Sequence, residues 1–80
     1  MMLSASRHAE KIQIRVPKAD AAFVYFILEA QEGVATHSTL PNVLGDPHRD
    51  IEISFSGEFR ADVERILEEL EDSGAEIQRI

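Results

Sequence analysis

The residues that could do chemistry fall in three short stretches. Thr36-His37-Ser38-Thr39 sets an imidazole among three hydroxyls. Nucleophilic catalysis needs a base within hydrogen-bond reach of the nucleophile. In an extended chain His37 and Ser38 point to opposite faces, so they do not pair. His37 shares a face with Thr39, and could meet Glu52 or Ser54 across a hairpin. That is polar pairing on an edge strand, so the expectation is no catalytic residue and no enzyme.

Asp46, His48 and Asp50 form the second stretch, spaced by two, with His37 across the hairpin. Carboxylate and imidazole suit zinc or a harder divalent ion. No ligand motif is matched, however, and Pro47 stands between two of the candidates. Asp-Pro is also an ordinary turn start. The expectation is turn chemistry, with no metal and no cofactor.

Lys18-Ala19-Asp20 is the third, between a strand and a helix. Free N–H groups and the positive end of the helix dipole favour an anion there. A small-anion site would draw on Lys18 and Asp20, with the edge-strand residues Thr36, His37 and Thr39 as further candidates. The other reading is an ordinary strand-to-helix turn with Asp20 as its cap. Both stand open, and no Gly-rich phosphate fingerprint decides between them.

The elements that must position these groups are legible from periodicity. Lys11 to Val16 alternates, with Ile12, Ile14 and Val16 on one face, which marks a strand. Ala19 to Glu32 is free of Gly and Pro inside and reads as a helix ended by Gly33. Phe23, Phe26, Ile27 and Ala30 form its core stripe, and Val24 and Leu28 widen the apolar arc beyond what one sheet face covers. Val34 to Leu40 is a polar strand suited to a sheet edge. Pro41 to His48 is a loop, rich in turn formers.

Asp50 to Ser56 is a second clean strand, with Ile51, Ile53 and Phe55 inward. Ser56 or Gly57 can cap the next helix, whose stripe is Phe59, Val63, Ile66, Leu67 and Leu70. Ser73-Gly74 closes it, and Ala75 to Ile80 forms a short last strand with Ile77 its buried residue. The order β-α-β-β-α-β specifies a ferredoxin-like α+β plait, a four-stranded antiparallel sheet with two helices on one face. Residues 1–10 are expected to be a flexible segment and 11–80 a single domain.

Composition narrows the function classes. The chain has 80 residues, 44% hydrophobic and 29% charged, which is ordinary for a globular domain. There is no cysteine, so no disulfide scaffold and no thiolate chemistry. Eight basic and 15 acidic residues give a net charge of −7, which argues against a nucleic-acid partner. The open sheet face would show Lys11, Gln13, Arg15, Glu52 and Ser54, with no aromatic to stack a base. Tyr25 reads as a packing residue on the outer side of the first helix. No apolar run reaches the roughly 20 residues of a membrane span. The start lacks an apolar signal core, so a cytoplasmic protein is expected.

The acidic excess is confined to the second half, where eleven carboxylates face four arginines. Six of them, Asp62, Glu64, Glu68, Glu69, Glu71 and Asp72, crowd the second helix, as a solvated face or a docking face for a basic partner. A single core in a chain this short rarely supplies more than roughly 3–5 kcal/mol. A homodimer is therefore expected, built from the edge strand Ala35 to Thr39, from the first helix with Val24 and Leu28 in its interface, or from both, with the second helix left facing solvent. A further protein partner is possible through the same surfaces.

The element order and size resemble the ACT-like regulatory domains, small modules that pair and often bind amino acids at their interface. The stretch Phe26 to Thr39 also resembles a small uncharacterised bacterial domain family whose helix ends in Glu-Gly before a Thr-containing strand. The matching positions are Glu29, Glu32, Gly33, Thr36 and Thr39. The likeness implies a regulatory or protein-interaction module, and an amino-acid sensor as the alternative. Ligand-binding ACT domains usually carry a Gly in the turn after the first strand; Val16-Pro17-Lys18-Ala19-Asp20 has none.

Overall fold

The computed structural model describes residues 9–31 and 33–80. Strand β1 (Ala9–Pro17) leads into helix α1 (Lys18–Glu29), edge strand β2 (Ala35–Thr39) and strand β3 (His48–Ser56). A 3-10 turn (Gly57–Phe59), helix α2 (Arg60–Asp72) and strand β4 (Gln78–Arg79) follow. The sheet order is β2-β3-β1-β4, and every neighbouring pair is antiparallel. This is the ferredoxin-like plait that the periodicities specify. No helix among the described residues is long and apolar enough to cross a membrane.

The centre of the sheet follows the alternation. Ile12, Ile14 and Val16 of β1 pair in register with Ile53, Ile51 and Arg49 of β3. All six inward apolar residues of the two strands are buried, with Ile14, Val16, Ile51 and Ile53 fully so. From α2, Val63, Ile66, Leu67 and Leu70 cover them. On the open face Arg15 donates to Asp50 at 2.9 and 3.1 Å. Lys11 and Gln13 meet Glu52 at 3.6 and 3.0 Å.

Several boundaries differ from the sequence reading. β1 begins at Ala9, inside the segment expected to be flexible; Glu10 turns to the helix side, where Arg60 Nε donates to it at 2.7 Å. Residues 1–8 of that segment, and Glu32, lie outside the described residues. α1 ends at Glu29, so Gly33 is not its stop. Gly33 instead takes φ 88° in the turn into β2, which Val34 N–H closes on the Gln31 carbonyl. Asp20 does not cap α1: Pro17 holds the cap position, and Asp20 accepts the Glu76 N–H at 3.3 Å. Neither Ser56 nor Gly57 caps α2, which starts at Arg60. Phe59 belongs to the 3-10 turn and is half-buried. In the last segment Ala75 is buried and Ile77 only half so.

The largest correction concerns α1. Its buried residues are Ala21, Val24 and Leu28. Phe23 is 43% exposed and Phe26 68%. The interface assigned to Val24 and Leu28 is therefore overturned, because both side chains belong to the core. Two arcs of this helix are apolar, and hydrophobicity alone does not choose between them. Its polar atoms go with the observed rotation: Asp20 meets the chain before β4 on one flank, and the Tyr25 hydroxyl meets Thr39 of β2 on the other.

Candidate functional site

At about 100° per residue, positions 19, 23, 26 and 30 gather on the side of α1 away from the sheet. They are Ala19, Phe23, Phe26 and Ala30, and all four are exposed. Pro17 ends β1 and holds the cap position of this helix, and the Lys18 N–H donates to the Pro47 carbonyl at 2.8 Å. With Ala21, Val24 and Leu28 inward, the opposite arc must face out. Exposing a large aromatic side chain forgoes roughly 1.5–3 kcal/mol of burial, so two adjacent exposed phenylalanines are informative.

The outer face of α2 has the opposite character. Arg65 donates to Asp62 at 2.8 Å and Arg60 to Glu64 at 3.0 Å. Arg79 of β4 also pairs with Glu64 and holds its carboxyl below the usual carboxylate range against the opposing effect of burial. That face is charged and solvated. The layer of helices thus carries one apolar outer surface and one polar outer surface.

The residues gathered for a small ligand do not converge on one place. Asp20 is engaged with the backbone of Glu76, and Lys18 stands exposed at the start of α1. Thr36 pairs with Ser54 in register on the open face of the sheet, whereas His37 lies opposite Ile53 on the helix side. The expectation that His37 meets Glu52 or Ser54 is corrected by this register, which gives those residues to Ser38 and Thr36. His37 instead stacks on Tyr25, with ring centroids 5.6 Å apart and planes 24° apart. The Tyr25 hydroxyl and Thr39 Oγ1 share a hydrogen bond. Tyr25 therefore stands on the flank of α1 towards β2, not on its outer side. Gly33, Thr36 and His37 do share a shallow groove of about 290 Å³, bordered by Glu29.

Of the Asp46-His48-Asp50 stretch only Asp46 lies in the turn; His48 and Asp50 belong to β3, which starts two residues earlier than the sequence suggests. Asp46 Oδ1 accepts the His48 N–H at 2.9 Å, and Asp50 is committed to Arg15, which holds its carboxyl below the usual range. Among the described residues no group of three His, Cys, Asp or Glu side chains is placed to hold a metal ion.

Phe23 and Phe26 are the surface residues that periodicity misassigned. A signal for them was present in the spacing, since Ala19, Phe23, Phe26 and Ala30 follow the four-three-four step of a helix-pairing seam.

Residues 14–73 match the family described as "Domain of unknown function (DUF4911)". No curated protein and no solved structure matches the chain.

Proposed function

Since the chain belongs to the DUF4911 family, whose description assigns no activity, we propose its function from its surfaces: a small, non-catalytic interaction module whose docking face is the outer side of α1. One observation carries this reading: Phe23 and Phe26 stand exposed on a helix whose other arc already fills the core. Aromatic residues are enriched at the centres of interfaces, where charged residues are depleted. A regulatory role in the cytoplasm fits a module of this kind, which acts by what it binds.

A sensor for a small anion or an amino acid is the weaker reading. Lys18 and Asp20 lie apart from the groove, and the Glu29 carboxylate on its border disfavours an anion.

Site-specific photo-cross-linking tests the docking face in the full chain. A benzophenone side chain in place of Phe26 is expected to give a covalent protein adduct on irradiation in the host cell. The same group in place of Glu68 on α2 is expected to give none. Adducts from position 68 and not from 26 would move the docking face to α2.

A further inference from the structure

We propose that the outer face of α1 pairs with the same face of a second copy of this chain, as an antiparallel two-fold helix pair that sets Phe23 of one copy against Phe26 of the other. This rests on the reading of that face as the docking surface, and it names the partner.

The stripe is self-complementary. Ala19, Phe23, Phe26 and Ala30 run small, large, large, small, and the order and spacing read the same in both directions. A two-fold interface presents one patch to itself, so residue i meets j and j meets i. An axis crossing α1 between Val24 and Tyr25 exchanges position 23 with 26 and position 19 with 30. Two Phe–Phe contacts then form the centre, an arrangement that adds to simple area burial. The alanines at either end let the two backbones approach.

Charge selects the antiparallel sense. Lys18 and Glu29 lie on one flank of the stripe, near opposite ends of α1, and neither has a salt bridge with another described residue. An antiparallel pair brings Lys18 of each copy towards Glu29 of the other. A parallel pair would leave Lys18 and Glu29 of the two copies at opposite ends and on opposite flanks of the seam, and would align the two helix dipoles. A contact centred on one three-turn helix falls short of the roughly 800 Å² per partner of a standard interface, so the pair is a weak, concentration-dependent one.

The chain has no cysteine of its own, which makes the register readable. Ala19→Cys and Ala30→Cys are both exposed positions, and circular dichroism verifies that each variant is folded. The two variants are mixed at high concentration and treated with a short bismaleimide. The mixture is expected to yield a linked dimer. Neither variant alone should do so, because identical positions then lie about 16 Å apart along the axis. Linking of Ala19→Cys to itself would show a parallel pair and overturn the proposal. An unlinked mixture would overturn it too. In that case an adduct of the position-26 photoprobe with a different protein leaves the docking face standing and removes the second copy. The absence of any adduct removes both.

Discussion

Tyr25 lies stacked on His37, with ring centroids 5.6 Å apart, while its hydroxyl bonds Thr39 two residues further along the edge strand. One side chain thus ties the middle of α1 to two positions on β2. It helps to hold the rotation of α1, and that rotation decides which residues face out. Tyr25→Phe keeps the stacking and removes the hydrogen bond. It is expected to cost about 0.5–1.5 kcal/mol. For a domain of this size that is a fall of several degrees in melting temperature. Thr39→Val should cost a similar amount, and the double variant little more than either alone. Additive losses in calorimetry would show that the two hydroxyls act separately.

The core position of α1 gives a second prediction. Leu28→Ala and Ile53→Ala should each cost roughly 2–5 kcal/mol, since both side chains are buried against the other layer. Leu28→Glu should unfold the chain outright by burying an unpaired charge. Denaturant melts decide it: a folded Leu28→Glu protein with an unchanged midpoint would put Leu28 back on the surface.

Gly33 gives a third. At φ 88° with open space around its Cα, an added Cβ meets nothing, so any cost of substitution is conformational. Gly33→Ala should destabilise by about 1–2 kcal/mol and Gly33→Asn by less, because Asn tolerates the left-handed region better. Equal melting temperatures for Gly, Ala and Asn would mean that the turn into β2 has relaxed to negative φ.

Acid supplies a fourth. Hydrogen bonding from Arg15 lowers the Asp50 pKa, and hydrogen bonding from Arg79 lowers that of Glu64, in each case more than burial raises it. The unfolded chain therefore takes up these protons first as the pH falls. The stabilisation is present in full above the ordinary carboxylate range, is lost on descending through about pH 4, and is gone below the depressed values. Asp50→Asn should flatten this part of the stability–pH curve. A variant whose stability falls as steeply as that of the wild type would exclude Asp50 as a source.

Most of the fold was legible because burial leaves a period. In β1 and β3 only one face is apolar, so Ile12, Ile14, Ile51 and Ile53 could face only one way. In α2 the arc of Val63, Ile66, Leu67 and Leu70 has charged residues opposite it, and the stripe is unambiguous. α1 failed the same test for a physical reason. Phe23, Phe26 and Ala30 repeat at the same spacing as Ala21, Val24 and Leu28, so period alone is silent. The partners of Asp20 and Tyr25 distinguish the arcs, and these are long-range contacts that no local pattern encodes. The pairing of His37 was illegible for a related reason: a polar edge strand does not declare its register.

Sedimentation equilibrium of the wild type and of Phe26→Glu tests the central claim, that the outer face of α1 is a docking surface for a second copy. The wild type should show a monomer–dimer equilibrium at about 10–500 µM, the range of a weak pair. Phe26→Glu should stay monomeric throughout while keeping the wild-type melting temperature. A wild type that remains a monomer at every concentration, or a Phe26→Glu variant that dimerises as the wild type does, would contradict the account.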